Sequence, residues 1–400
     1  MKDKNGGLCS SESFSKCLKP AAYAEYEVEQ GANSQASKPK EEGRAPEKTI
    51  TDMDGRTVSI SEPLKRVVTA GYGMAPCVMA AFGVGDLIVG TGGSLSSTAG
   101  KEYTPTFVLP VIKALPDLGR GADLNIEAAV ALNPDIIILE KDCAGQGSAS
   151  AAYVKLIERF SLFNNSIPFV VLNNPACFEK PSPDTVYKEI TIMGELFDKQ
   201  VRAREIIDLL KEEVALVADR TKDIEPDNRP SVLFMGLLAG TDYGKGKLAV
   251  SVPDYDCGTI FPEITNIKNI NTGKTRELMS SEQLLTLDPD VIILLCYPGG
   301  YEVDILYNSE DYDALQKMRA VVEKNVFTTG RFEASRHMAG LEFPIEMLIE
   351  AKAVYPERFQ DIKVGEQLTK HYKALYSLND TQVKMLKEAM ALDWMDKDGF

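Results

Sequence analysis

Short apolar runs alternate with helical patterns along most of the chain, and this alternation begins near Thr49. In the first half, the apolar runs fall at residues 66–70, 87–90, 136–139 and 169–172, and helical patterns occupy 75–82, 126–132 and 151–163. The alternation resumes after Pro230, with strand candidates at 232–235, 291–295 and 326–328. Strands that alternate with helices are typical of a mostly parallel sheet, so the pattern predicts an α/β fold.

A long helical stretch without a strand separates the two alternating regions. It runs from about residue 184 to 224, and Ile206, Leu210, Val214 and Val217 recur at spacings of four, four and three residues. This spacing places them on one face of an amphipathic helix. We therefore predict two α/β lobes joined by a rigid helical strut.

One segment occurs twice. Residues 125–139 match residues 280–294 at a constant offset of 155 residues. Each copy predicts a helix capped by Asn125 or Ser280, then a Pro-Asp turn and a strand covered on both faces. Glu127 and Glu282 occupy the first turn of the two helices, where the helix dipole favours a carboxylate. The repeat implies that the two lobes are similar and Rossmann-like.

Composition sets the remaining boundaries. Residues 30–48 are rich in small and charged residues and have almost no large apolar side chain, so burial cannot offset their ordering entropy. We predict a flexible tether at 1–48, an N-terminal lobe at 49–184, an interlobe helix at 185–225, and a C-terminal lobe at 226–400 with a helical end.

Charge and cysteine content narrow the classes of partner. The 400 residues carry 44 Lys and Arg against 59 Asp and Glu, a formal charge of −15. This argues against nucleic acid as the main partner, because phosphate binding requires a basic face. The 7 cysteines form no CxxC pair. They predict neither a disulfide framework nor a zinc site, and they leave the redox compartment open.

The start of the chain bears on export. No apolar run is long enough to span a membrane. Residues 1–9 carry charge but lack the apolar core of a signal segment. Either export does not occur or the signal segment has been removed from this sequence, and the remaining motifs favour removal.

Four pieces of the chain resemble the solute-binding proteins of siderophore, haem and cobalamin ABC importers. They are the opening hairpin T-D-M-D-G-R-T-V at 51–58, the segment 66–68 with 81–90, the two Glu…Pro-Asp repeats, and the late helix A-K-A-V-Y-P-E-R-F at 351–359. Together they cover about residues 49–375. The resemblance implies the class III periplasmic-binding-protein architecture, in which two lobes are joined by a single long rigid helix.

The same resemblance implies partners and a location. In that family one glutamate per lobe docks onto arginines of the membrane permease, and the matching residues here are Glu127 and Glu282. We expect an extracytoplasmic monomer that works with the permease and ATPase of an ABC importer and has no catalytic activity. Lipid attachment at Cys9 is left open, because the residues before it form an imperfect lipobox.

The ligand site is expected at the carboxyl ends of the strands, where open α/β sheets bind ligands. Residues that follow strands there include Glu140, Lys141, Asn173 and Asn174. Among the aromatic and basic residues of these loops, the predicted ligand contacts are Tyr72, Tyr243, Tyr297, Arg331, Arg336 and His337. Rings and guanidinium groups suit a flat, anionic metal chelate, and an iron siderophore or haem fits best.

Other ligands and functions stay open. The chain has two histidines, His337 and His371, too few for a bare transition-metal site, and we expect no cofactor of its own. A corrinoid or an oxyanion fits the same fold. A carboxylate-dependent α/β enzyme is less favoured, because no complete GxGxxG, Walker, GxSxG or HExxH motif is present. A sensor ectodomain or a chaperone-like carrier is the third functional hypothesis.

Overall fold

A computed structural model describes most of the chain. The described residues are 47–71, 73–93, 104–119, 124–141, 148–162, 167–237, 248–252, 254, 261–273, 276–295, 302–331, 340–398 and 400. Residues 45–400 form one compact unit. Most of the predicted tether lies outside the described residues, but Glu47 and Lys48 already belong to the first strand. Regular structure therefore begins two residues before the predicted start at Thr49.

The described elements follow the predicted alternation. The strands are β1 (Glu47–Thr51), β2 (Thr57–Ser61), β3 (Val67–Gly71), β4 (Ile88–Gly93), β5 (Ile136–Lys141), β6 (Phe169–Asn173), β7 (Ser231–Leu237), β8 (Leu248–Ser251), β9 (Lys268–Asn269), β10 (Glu277–Ser280), β11 (Val291–Leu294) and β12 (Val326–Thr328). The α-helices are α1 (Met74–Ala81), α2 (Thr104–Val108), α3 (Ile126–Ala131), α4 (Ser148–Leu162), α5 (Pro183–Leu196), α6 (Gln200–Thr221), α7 (Pro262–Thr265), α8 (Ser281–Leu287), α9 (Val303–Asn308), α10 (Arg319–Val322), α11 (Phe343–Val354), α12 (Val364–Tyr376), α13 (Asp380–Ala389) and α14 (Trp394–Asp398).

The opening hairpin is confirmed, and its turn is fixed by one buried aspartate. Strands β1 and β2 pair antiparallel from Glu47↔Ser61 to Thr51↔Thr57. The Asp52 carboxylate accepts hydrogen bonds from the Arg56 backbone N–H at 2.9 Å and the Arg56 Nε at 3.0 Å. It also accepts the Val171 N–H of β6 at 3.1 Å. The D-x-x-G-R pattern thus closes the turn and attaches it to the first sheet.

Two separate sheets form the centres of the two lobes. The first has the strand order β4-β3-β5-β6 and is parallel throughout. The second has the order β10-β8-β7-β11-β12, with β9 beside β7. Its central strands β7, β11 and β12 are parallel, whereas β8 and β10 pair antiparallel at one edge. The predicted α/β class is confirmed, and the antiparallel edge is an addition that the apolar runs did not indicate.

A continuous apolar core runs through both lobes. It includes Val67 and Ile138 of the first sheet, Phe234 and Ile293 of the second, and Leu210 of α6. Neighbouring strand residues, which point to the opposite face, belong to other clusters. Each sheet is therefore covered on both faces, as expected for parallel strands with near-continuous apolar sequence.

The opposite faces of the sheets have cores of their own. In the first lobe, Val68 and Ile137 pack in a cluster with Leu156 of α4. In the second, Leu233 and Ile292 pack with residues of α8 and α10. The strand runs at 136–139 and 291–295 were predicted to be buried on both faces, and this is confirmed for their described residues.

The segment predicted as one helix over 185–225 contains two helices. Helix α5 ends at Leu196, Asp198 adopts a left-handed conformation with φ 55°, and α6 begins at Gln200. The single helix between the lobes is therefore α6. Residues 197–199 contain no proline or glycine, and Gly194, the one residue that interrupts the helical pattern, lies within α5 and not at the break. The predicted apolar face is confirmed, because Ile206, Leu210 and Val217 are buried and Val214 packs against the core.

Arg202 of α6 joins three parts of the molecule. Its guanidinium donates hydrogen bonds to the Ala81 carbonyl at 3.1 Å, and to the Ala374 and Leu375 carbonyls at 2.6 and 2.9 Å. Ala81 ends α1 of the first lobe, and the other two lie near the end of α12. Carbonyls in the last turn of a helix have no partner within the helix, so one side chain satisfies exposed acceptors on two helices.

Replacing Arg202 by Met is expected to lower the free energy of unfolding by about 2–3 kcal/mol, because charge-assisted hydrogen bonds to three helix-end carbonyls are lost. Urea unfolding followed by circular dichroism measures the change. Arg204→Met is the matched control, since Arg204 is exposed on the same helix, and its effect should stay within about 0.5 kcal/mol. Equal effects of the two substitutions would contradict the bracing role of Arg202.

Candidate functional site

The two repeat segments have the same geometry in both lobes. Val67 of β3 pairs with Ile136 of β5, and Val232 of β7 pairs with Val291 of β11. At the end of each repeat helix one residue adopts a left-handed conformation, Asn133 with φ 47°. Its counterpart in the second lobe is Asp288, with φ 37°. The sequence repeat is therefore also a structural repeat.

The aspartate of each Pro-Asp turn fixes the start of the neighbouring strand. The Asp135 carboxylate accepts the backbone N–H groups of Lys65 and Arg66 at 2.6 and 2.8 Å. The Asp290 carboxylate accepts the Ser231 N–H and hydroxyl, both at 2.7 Å. Burial raises the pKa of Asp290, but the hydrogen bonds from Ser231 and Arg319 outweigh it and hold that pKa at about 2.

Glu127 and Glu282 are exposed at equivalent positions of the two lobes. Asn125 caps α3 by accepting the Ala128 N–H at 2.9 Å, while Ser280 and Gln283 form a capping box on α8. Hydrogen bonds from the Ser280 side chain and the backbone lower the pKa of Glu282. Because each helix returns antiparallel to the strand that follows it, its first turn lies toward the carboxyl ends of the strands. One exposed carboxylate per lobe thus lies on the side where a ligand is expected.

Glu140 is a functional candidate that is not among the six predicted ligand contacts. It belongs to the end of β5, is 4% exposed, and its carboxylate accepts the Gly73 N–H at 3.2 Å and the Ala75 N–H at 2.5 Å. These donors open α1. A Cβ atom on Gly71 would lie 2.2 Å from the Glu140 Cβ, so only glycine fits beside this side chain.

The hairpin turn covers the neighbouring strand ends. The Lys141 ammonium donates to the Asp54 carboxylate at 2.9 Å, and the Asn173 amide donates to it at 3.0 Å. Burial raises the pKa of Asp54, but these two partners outweigh it and leave that pKa below its usual value. Lys141 and Asn173 were grouped among the loop residues near a ligand, and the structure pairs both with the hairpin.

Arg331 is the one predicted ligand contact within the described residues. Its guanidinium donates to the Ala389 carbonyl at 2.9 Å, and its backbone N–H donates to the Met390 carbonyl at 2.9 Å. These bonds attach the end of β12 to the end of α13. Ligand contact by Arg331 stays a prediction. The other five, Tyr72, Tyr243, Tyr297, Arg336 and His337, lie outside the described residues.

A buried polar cluster lies between the lobes and was not predicted. His371 of α12 is fully buried, and its Nδ1 is 2.9 and 3.0 Å from the two carboxylate oxygens of Glu213 on α6. Burial lowers the pKa of His371, but the Glu213 and Glu342 carboxylates outweigh it and raise that pKa above its usual value. The recurrence of Leu368, His371 and Leu375 on one helical face was the available signal.

Glu342 and its neighbours complete this cluster. Glu342 precedes α11 and is buried, and burial raises its pKa despite the nearby His371 and Thr104. Cys77 of α1 is a buried free thiol whose pKa is raised by burial and by the Glu342 carboxylate. The cluster therefore joins α1 and α2 of the first lobe to α6, α11 and α12.

Among the described residues, no group of three or more His, Cys, Asp or Glu side chains is arranged to hold a metal ion. Cys177 is disulfide-bonded, a bond that the irregular cysteine spacing had not indicated. In the part of the chain that the structure describes, no helix combines the length and apolar character required to cross a bilayer.

This chain is similar in sequence and in fold to known proteins. The chain is 23% identical over 338 residues to the molybdate-binding protein MolA of Haemophilus influenzae, covering 82% of this chain and 91% of MolA. It is 24% identical over 335 residues to YvrC of Bacillus subtilis, an uncharacterized ABC transporter substrate-binding lipoprotein, covering 82% of this chain and 92% of YvrC.

A similar solved structure and a family match agree with these two sequence relatives. A periplasmic solute-binding protein of Veillonella parvula superposes with a TM-score of 0.68 at 19% identity, covering 89% of this chain and all of that one. The family model described as "Periplasmic binding protein" matches residues 70–331, well over half of the chain. With two lobes, one interlobe helix and a repeated helix–turn–strand segment, the chain belongs to this periplasmic binding protein family, whose members are substrate-binding components of ABC transporters.

Proposed function

We propose that this protein captures a metal chelate, an iron siderophore or haem, between its lobes and delivers it to the membrane permease of an ABC importer. The observation that carries the proposal is the pair of exposed glutamates at equivalent positions of the repeat. Two carboxylates on one body can engage two basic pockets at once and so set orientation and association rate. Delivery of a ligand to a permease requires such recognition of the permease, whereas catalysis by an enzyme does not.

The proposed role in an ABC importer also implies where the protein acts and which proteins it works with. The protein acts outside the cytoplasm, as a monomer, with a permease and an ATPase. The disulfide at Cys177 supports this location, because disulfides persist in oxidising compartments. Lipid attachment at Cys9 stays open, and the relative YvrC, which is a lipoprotein, favours it.

A free oxyanion is the second candidate cargo. It is favoured by the relative named as a molybdate-binding protein, which matches most of this chain. Identity of 23% leaves room for a change of ligand, since a few loop side chains decide specificity within one fold.

The cargo is tested by purifying the protein from its native host and recording its absorption spectrum, bound metals and the mass of any released compound. We expect stoichiometric iron with an organic ligand that leaves on unfolding and is chemically unchanged. Protein that is unfolded, dialysed and refolded is the control, and it should be colourless until host extract is added back. Chemical conversion of the captured compound would contradict the proposal and favour an enzyme.

A further inference from the structure

We infer that Arg66 and Arg319 are positioning residues for docking, because each holds the end of the helix that presents Glu127 or Glu282 to the permease. The inference rests on the proposed function and deepens it, since it adds residues through which this chain recognises its membrane partner. Neither arginine contacts the permease itself, and each acts through the glutamate of its own lobe.

An arginine donates to the same backbone carbonyl in both lobes. In the first lobe, Arg66 donates to the Asn133 carbonyl at 3.2 Å and to the Leu132 carbonyl at 2.6 Å. In the second lobe, Arg319 donates to the Asp288 carbonyl at 3.1 Å. Asn133 and Asp288 occupy equivalent positions of the repeat, and both are left-handed residues at the ends of the repeat helices. The end of each repeat helix is thus held by a guanidinium group.

The two arginines are not copies of one another. Arg66 directly precedes β3, and the strand pairings make Ser231 its equivalent in the second lobe. Arg319 instead begins α10, which precedes β12. Duplication of a segment therefore does not account for the shared contact. What the lobes have in common is a helix end whose last carbonyl groups have no partner within the helix.

The repeat helices depend on such contacts because they are short. Helix α3 has six residues and buries Ile126 and Ala129, while α8 has seven residues and buries Leu284. Helices of this length are not stable on their own, so tertiary contacts fix them in place. The caps Asn125 and Ser280 hold the first turn of each helix. The arginines hold the opposite end, and both ends together set the direction of the helix.

Docking at two points depends on where the two carboxylates lie relative to each other. Each glutamate is about 9 Å along the helix axis from the carbonyl that the arginine holds. Movement of that helix end would redirect the first turn and displace the carboxylate. Binding costs less free energy when the contacting groups are already held in the bound arrangement. An arginine at the far end of the helix therefore strengthens docking from a distance.

The test measures the concentration of binding protein that half-saturates the ATPase activity of its importer in phosphatidylcholine vesicles, with protein purified from the native host together with its cargo. Arg66→Met and Arg319→Met remove the guanidinium groups, and Lys65→Met and Lys317→Met are controls that remove a nearby exposed charge. We expect each arginine variant to raise the half-saturating concentration about tenfold, with the maximal rate and the cargo content unchanged. The lysine variants should match wild type, and circular dichroism establishes that each variant is folded.

A second background separates positioning from a general loss of stability. In a Glu127→Gln protein, R66M should cause no further increase, because Arg66 acts through that glutamate, and R319M should cause none in Glu282→Gln. Arginine variants that match the lysine controls, or that have equal effects with and without the glutamate, would overturn the inference. Failure of the proposed function looks different, because E127Q and E282Q would then themselves leave the half-saturating concentration at the wild-type value.

Discussion

Reversing the charges of Glu127 and Glu282, the two residues proposed to contact the permease, as E127R/E282R, is expected to reduce permease-dependent uptake by at least about a hundredfold while leaving the ligand affinity unchanged. Each carboxylate is exposed in the first turn of its helix, in the same position relative to the sheet. Arginine at either position would face the basic pocket with a like charge, which opposes docking. Uptake by a deletion strain that carries the variant gene measures the effect, and titration with the purified cargo measures affinity.

Matched reversals separate docking from net charge. Glu158 of α4 and Glu388 of α13 are also exposed, and E158R/E388R changes the net charge of the protein by the same amount. This control should retain normal uptake. Single reversals should give intermediate losses, because one lobe can still engage its pocket. Normal uptake by E127R/E282R would show that the protein docks through other residues.

The repeat could be predicted because it is local. Each copy contains its own cap, turn and strand within fifteen residues, so Asn125 and Ser280 serve their predicted roles. Each repeat strand pairs in parallel with a central strand of its lobe, β5 with β3 and β11 with β7. This is why the two lobes and the exposed Glu127 and Glu282 agree with the sequence pattern.

Other features depend on distant contacts and could not be predicted. Glu140 is close to Gly71 and α1 only after β3 and β5 pair. His371 meets Glu213 across more than one hundred residues of chain. The break at Asp198 lies beside the contact between α5 and α6, where a Cβ atom on Gly194 would be 2.7 Å from the Ala203 Cβ. In each case the deciding neighbour is set by tertiary packing.

The protein is expected to become less stable as the pH rises from about 5 to about 8. Four buried or partly buried groups have pKa values raised in the folded state, namely Glu189, Asp254, Glu342 and His371. Each binds its proton more tightly when folded, so its contribution is present at low pH and is lost as the pH passes through the folded pKa. Asp290 acts in the opposite sense, because its folded pKa of about 2 is below its usual value of 3.8, so its stabilising contribution is present throughout this range and is lost only as the pH falls toward 2.

The ionisable groups that pack around His371 do not reverse this fall in stability with rising pH. Glu213 approaches from α6 and Glu342 precedes α11, while Cys77 of α1 and Tyr372 and Tyr376 of α12 have raised pKa values and stay neutral. Raising the pH therefore ionises Glu342 in a buried site and removes the proton that pairs His371 with Glu213. Both steps oppose the folded state.

Asp254→Asn should remove part of this pH dependence. Burial raises the pKa of Asp254 to about 6, although the Asn269 amide donates to its carboxylate at 2.9 Å. Between about pH 5 and 8, linkage makes this group responsible for a loss of about 1–2 kcal/mol, and a neutral amide escapes that loss. Urea unfolding across this range should thus show a shallower decline for D254N, whereas Asp208→Asn, at an exposed position of α6, should follow wild type. A wild-type stability that rises with pH over this range would contradict the prediction. It would mean that Glu189, Asp254 and Glu342 are hydrated and ionised in the native protein, because burial away from water is what favours the protonated form of a carboxyl group.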